Sequence, residues 1–162
     1  MKYLTLMRHG EAEDLDNTRD ALRSLTKRGR NEISSVATSL SADGICFDRV
    51  LSSSALRAHE TTRAIASTLH IPETKILYRD DFYLANEEII LSEVSALDDA
   101  LKEILVVGHN PTLFVCAGLL HGEREGALPT AGCIGLTLHI DEWKHLTPAC
   151  ASVRFRKYPE HR

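Results

Sequence analysis

The sequence predicts an α/β domain: three layers, with a mostly parallel central sheet and helices on both faces. Three observations carry that expectation. Short apolar strands alternate with segments whose apolar residues recur at helical spacing, the pattern of successive strand–helix units. EILVVG (103–108) is an almost unbroken apolar run, as a central parallel strand buried on both faces requires. No linker, low-complexity stretch or internal repeat divides the 162 residues, so a single domain, 1–162, is expected, long enough to bury a proper core.

The elements follow in order. KYLTLM (2–7) is a first strand, and the polar, aperiodic stretch from Glu11 to Arg23 is expected to loop over the sheet. Thr26 is placed to cap a helix along TKRGRNEISSVATSLSADG, with Ile33, Val36, Ala37 and Leu40 as its apolar stripe and Gly44 as its stop. FDRVLSS (47–53) is a second strand. SALRAHETTRAIASTLH (54–70) is a second helix that buries Ala58, Thr62, Ile65 and Leu69, with Pro72 closing it. KILYRD (75–80) is a third strand, and ANEEIILSEVSAL (85–97) a third helix with Ile89, Ile90, Val94 and Leu97 inward. After EILVVG, Asn110 reads as the N-cap and Pro111 as the first residue of a fourth helix. CIGLTLHI (133–140) and ASVRFRKY (151–158) complete the sheet. The second alternates Val153 and Phe155 against Arg154 and Arg156, as an edge strand with one solvated face does.

Composition narrows the function classes. Hydrophobic residues at 43% and charged residues at 26% are ordinary for a globular protein, and a net charge of −4 argues against nucleic-acid binding, which needs a basic field. The first apolar stretch is too short for a signal peptide and Arg8 interrupts it; no run approaches the roughly 20 residues of a membrane span. A cytoplasmic protein without membrane attachment is expected. Cys46, Cys116, Cys133 and Cys150 form no C-x-x-C pair and read as reduced, mostly buried thiols. The eight histidines show no ligand spacing; His139 and His145 lie close in sequence but at a strand end and in a turn. Neither a metal nor a cofactor is expected.

The chemistry gathers at strand ends. Arg8, His9 and Gly10 follow the first strand, Gly108, His109 and Asn110 follow the fourth, and Arg57 opens the helix after the second. In open α/β sheets, ligands collect outside the carboxyl ends of the strands where strand order reverses. Two arginines and two histidines at one sheet edge repel one another unless an anion neutralises them. Phosphate fits, because guanidinium forks pair with its oxygens and a neutral imidazole can attack phosphorus.

MRHGEAE, SSSALRAHETT and VVGHNP together resemble the signature of the histidine phosphatase superfamily, which has the phosphoglycerate-mutase-like fold. The resemblance extends over nearly the whole chain, including LTKRGRNE and PTAGCIGLTL. The short length, GHNP and the reduced insert between the third strand and its helix are most similar to the SixA-type phosphohistidine phosphatases. The resemblance implies that His9 is a nucleophile that becomes transiently phosphorylated. Arg8 and Arg57 would clamp the phosphoryl oxygens, and His109 would stabilise the transferring group from the other side. Gly10 would permit a close backbone approach; Asn110, as helix cap and orienting residue, and Thr130, in the PTAG turn, are further substrate-binding candidates.

The sequence departs from the mutase-like pattern at one place. Those members carry an acidic residue after the third strand that protonates the leaving oxygen, whereas YRDDFYLANEE offers no clean match; Asp81, Glu87 and Glu88 read as solvated charges. Glu11 and Asp16, in the loop after His9, are the alternative acids. An alkoxide needs a proton on leaving, for which a positioned acid gives about 100- to 10,000-fold, while a leaving imidazole with a pKa near roughly 6.5 departs with little help. The expected activity is therefore metal-independent hydrolysis of phosphohistidine on a partner protein, through a phosphohistidine intermediate and a mouth left open by the short insert. The same mechanism on a small phosphoester or nucleotide is the alternative, and a non-catalytic phosphate- or phosphoprotein-binding module is a third.

Overall fold

The structure, a computed structural model, describes residues 1–14 and 19–160. Its strands are β1 (Lys2–Arg8), β2 (Arg49–Ser53), β3 (Ile76–Arg79), β4 (Glu103–Gly108), β5 (Cys133–Leu138) and β6 (Ala151–Lys157). The helices α1 (Lys27–Ala42), α2 (Leu56–Leu69), α3 (Glu87–Ser95) and α4 (Thr112–His121) lie between them as the periodicity predicts. All six strands join one sheet in the order β3-β2-β4-β1-β5-β6. The first four are mutually parallel, and β5 and β6 run antiparallel at one side.

Side-chain alternation along the strands builds a separate core on each face. Leu4, Leu6, Leu51, Ile104, Val106, Ile134 and Leu136 turn to one side, where α3 and α4 cover them through Ile90, Val94, Leu113 and Cys116. Met7, Val50, Leu105, Val107 and Cys133 turn to the other, under Ile33, Val36, Ala37 and Leu40 of α1 and Ala58 and Ile65 of α2. Each Val, Leu, Ile or Met among them contributes roughly 1.5–3 kcal/mol by leaving water. Leu69, Ile89 and Leu97 are only partly buried at the margins of these cores.

The caps are local chemistry. The Thr26 side chain accepts the Gly29 N–H, Asn86 does the same for Ile89, and Gly44 follows α1 at a left-handed φ of 70°. The fourth helix departs from expectation. It starts at Thr112, Pro111 occupies the cap position, and the Asn110–Pro111 peptide bond is cis. Asn110 is not the cap: its Nδ2 donates instead to the Leu128 carbonyl at 2.8 Å.

A further expectation is corrected. Of the four free cysteines only Cys116 and Cys133 are buried, while Cys46 is exposed. The basic residues of the edge strand β6 are paired within the domain, Arg154 with Glu103, Arg156 with Glu125 and Lys157 with Asp43. No helix among the described residues is long and apolar enough to cross a membrane.

Candidate active site

Sheet register brings the two histidines together. Arg8 of β1 lies directly beside Gly108 of β4, so the next residue of each chain, His9 and His109, leaves the sheet at the same level. Their ring centroids are 5.2 Å apart. The His9 backbone is pinned from both sides: its N–H donates to Gly108 O at 3.1 Å and its carbonyl accepts from Ala131 N at 3.0 Å. Ala131 holds that position at a φ of 60°, a left-handed conformation that an L-residue adopts only under constraint. β2 ends alongside and supplies Ser53, while the first turn of α2 supplies Arg57.

The nucleophile candidate is 7% exposed and the arginine beside it 6%. His9 Nδ1 lies 2.7 Å from its neighbour Gly10's carbonyl, an acceptor, so Nδ1 carries the proton. Nε2 is then the lone-pair nitrogen, and Arg57 directs its Nε–H at it from 3.3 Å. Burial holds the His9 imidazole down to about 3; the charges of Arg57 and Arg8 push the same way, against the hydrogen bond that Nδ1–H donates to the Gly10 carbonyl. His109 is held down to about 4, again by burial first and then by Arg57. Both rings are therefore neutral near pH 7. The expected crowd of four basic groups is in fact two guanidinium charges beside two neutral imidazoles.

His109 Nε2 and Ser53 Oγ are hydrogen-bonded at 2.8 Å, while Ser53 Oγ accepts the Ala55 N–H. Arg8 donates from Nη1 to Leu128 O at 3.1 Å. Burial, and after it the neighbouring charge of Arg57, lowers the Arg8 pKa, and the buried Glu32 opposes them. Arg8 Nε, His109 Nδ1 and Asn110 Oδ1 are buried without a hydrogen-bond partner among the described residues, an unusual concentration of unsatisfied polar atoms. All three residues line one pocket of about 340 Å³ with His9, Glu11, Ala12, Arg23, Arg57 and Thr130. The lining brings together His9, Arg8, Arg57, His109, Asn110, Thr130 and Glu11 of the sequence candidates.

Other candidates stand differently. Gly10 makes its close approach to α1 rather than to the pocket: a Cβ there would stand 2.7 Å from Ile33 Cδ1 and 3.0 Å from Gly29 O. Thr130 donates to the Glu32 carboxylate at 3.3 Å. Glu11 is paired with Arg28 at 3.5 Å and its side chain is 39% exposed. Asp16 lies outside the described residues. Among the described residues, no group of three His, Cys, Asp or Glu side chains could hold a metal ion.

Four residues at the site went unnoticed in the sequence. Asp20 takes both terminal nitrogens of Arg57, Nη1 on its carbonyl at 2.8 Å and Nη2 on Oδ2 at 3.0 Å, and accepts Arg23 Nε on Oδ1 at 2.9 Å. Tyr83 donates to the same Oδ2, sets its ring edge-on to His109 and lies beneath the Arg57 guanidinium. The Tyr83 hydrogen bond, and after it Arg57, holds the Asp20 carboxyl down to about 2. Arg23 and Ser53 complete the set. The segment between Asp80 and Asn86 thus reaches the site through Tyr83, beside His109, and supplies none of the pocket's lining.

Residues 4–81 match the profile of the histidine phosphatase superfamily (branch 1). The chain is 28% identical to the phosphohistidine phosphatase SixA of Escherichia coli K12 over 135 residues, 82% of this chain and 83% of that one. It is 30% identical over 158 residues to the uncharacterised protein Rv1276c of Mycobacterium tuberculosis H37Rv, covering 91% of this chain and 96% of that one. The solved structure of the protein histidine phosphatase SixA complexed with tungstate superposes with a TM-score of 0.84 at 24% identity, covering 97% of both chains, and shows the same fold.

Proposed function

The chain belongs to the histidine phosphatase superfamily and is a phosphatase, and we propose that it hydrolyses phosphohistidine displayed on a partner protein, without a metal, through a phosphorylated His9. The observation that carries this reading is the state of His9: neutral, its Nδ1–H held on the Gly10 carbonyl, its Nε2 lone pair facing Arg57. A binding module needs only the arginines; a neutral imidazole with a committed tautomer is prepared to attack.

In the first step Nε2 of His9 forms a bond to phosphorus as the bond to the leaving group breaks. Arg57 and Arg8 take the charge on the phosphoryl oxygens, the electrostatic service that dominates phosphoryl transfer. His109 faces the transferring group across from His9. In the second step water attacks phosphorus, the P–N bond breaks, and inorganic phosphate leaves. Throughout, the proton stays on Nδ1, hydrogen-bonded to the Gly10 carbonyl, so the ring leaves as neutral imidazole rather than as an anion.

Substrate preference rests on the acids. Among the described lining residues the carboxylate is that of Glu11, committed to Arg28, and the nearby Asp20 is held ionised to about pH 2. Asp20 delivers no proton at neutral pH and the Glu11 carboxylate faces Arg28, so the site favours leaving groups that need little help, as phosphohistidine does. The similarity to SixA supports the same substrate. The test is to incubate the protein with a peptide labelled in its phosphohistidine phosphoryl group and quench in base, where phosphohistidine survives. Label is expected on the wild type and none on His9→Ala; equal labelling of both would overturn the assignment of His9.

A further inference from the structure

Asp20 belongs to none of the sequence motifs, yet it organises the cationic side of the pocket. A guanidinium can pair through its end-on edge, Nη1 with Nη2, or its side-on edge, Nε with Nη2. Asp20 fills the end-on edge, with its main-chain carbonyl on Nη1 at 2.8 Å and Oδ2 on Nη2 at 3.0 Å. The side-on edge is thereby left toward His9, with Nε 3.3 Å from Nε2. The carboxylate is itself fixed although its side chain is 52% exposed, because Arg23 Nε donates to Oδ1 and Tyr83 donates to Oδ2. Three donors on one carboxylate convert a flexible arginine into a preorganised fork, whose rotamer entropy is lost on folding rather than on binding.

We propose that Asp20 is a positioning residue that presents the side-on edge of Arg57 to the phosphoryl group and anchors Arg23 at the pocket rim. The proposal rests on the assignment of His9 and Arg57 as nucleophile and clamp. Asp20 acts only through the two arginines and transfers no proton. Tyr83 serves it in turn: its hydroxyl orients the carboxylate, while its ring supports Arg57 independently. The loop after β1 and the segment after β3 are tied together at this one carboxylate.

The test uses tungstate as an inert oxyanion probe, its dissociation constant measured by calorimetry on the full chain. Compared are the wild type, Asp20→Ala, Asp20→Asn, Tyr83→Phe, Arg57→Lys and the Asp20→Ala/Arg57→Lys double variant. Asp20→Ala is expected to weaken tungstate about tenfold or more, the loss of a charge-assisted hydrogen bond acting through Arg57. Asp20→Asn falls between it and the wild type, because an amide oxygen and the main-chain carbonyl still accept. Tyr83→Phe costs less than Asp20→Ala. The double variant is expected to lose clearly less than the product of the two single losses, since Asp20 reaches the anion through Arg57 and, for the smaller remainder, through Arg23. Losses that multiply in the double variant would overturn the proposal, as would an Asp20→Ala protein that binds tungstate as well as the wild type or better; the latter would make Asp20 a competitor of the anion. If Arg57→Lys alone leaves the affinity unchanged, the clamp assignment fails and the proposal with it. Asp20 lies in an exposed single turn, and Asp20→Asn supplies the same comparison should the alanine variant not fold.

Discussion

Arg57 aims its Nε–H at the lone-pair nitrogen of His9 from 3.3 Å. The guanidinium thus stabilises the neutral tautomer of His9, the proposed nucleophile. Under the proposed mechanism an incoming phosphoryl group takes over that hydrogen bond, so the same donor serves the resting and the reacting states.

Replacing the donor geometry while keeping the charge isolates this relationship. Arg57→Lys retains a cation but no fork, and is expected to lower kcat/KM by about 10²–10³-fold. Arg8→Gln is expected to cost a similar amount. Steady-state kinetics with a phosphohistidine peptide measures both; a loss under threefold for Arg57→Lys would show that point charge alone suffices.

The imidazole states set the pH dependence. With His9 held to about 3 and His109 to about 4, neither ring protonates as pH falls from 7 to 5, so kcat/KM carries no acid limb near 6.5 from these residues. Stability carries the opposite signature. The folded protein keeps both rings neutral while the unfolded chain binds protons below about 6.5, so stability rises with pH between roughly 4 and 6.5 and is lost on acidification. Thermal melts across that range are expected to slope less steeply for His9→Asn and His109→Asn than for the wild type. Parallel slopes would contradict the buried neutral state.

Close packing behind the site gives a prediction independent of catalysis. A Cβ on Gly29 would stand 2.2 Å from Glu11 O and 3.0 Å from Glu11 N, a backbone collision that no rotamer change relieves. Gly29→Ala is expected to destabilise the fold by about 1–3 kcal/mol or more and to shift the loop that carries Glu11. Denaturant unfolding measures the first effect.

Glu11 serves as a negative control for acid catalysis. Glu11→Gln removes the lining carboxylate and its pairing with Arg28 while preserving size. Turnover of phosphohistidine is expected to stay within about threefold of wild type, far from the 10²–10⁴-fold of a true general acid. A loss of that larger size would restore Glu11 as the acid.

The sheet and its helices were legible because each is written in local periodicity and caps. Thr26, Asn86 and the run EILVVG lie where their chemistry dictates. Arg8, His9, Arg57 and His109 could be gathered from sequence because three strand ends of one parallel sheet necessarily meet at one edge. Asp20 and Tyr83 could not. They sit 37 and 26 positions from Arg57, in aperiodic segments where an acid or a phenol carries no pattern. Asn110 misled for a related reason: N-P before an apolar run has the composition of a helix cap, but its amide is drawn to Leu128, 18 residues on, a contact local rules do not contain. Gly10 was placed on the correct turn, yet the neighbour that demands a glycine there is α1, a matter of tertiary packing.

The most direct measurement is turnover of two matched peptides, one bearing phosphohistidine and one phosphoserine, by the wild type and by His9→Ala, with a chelator present throughout. Rapid phosphate release from phosphohistidine, little from phosphoserine and none from either by the variant is the predicted result. Comparable release from phosphoserine would contradict the account, because an alkoxide leaving group requires a positioned proton donor.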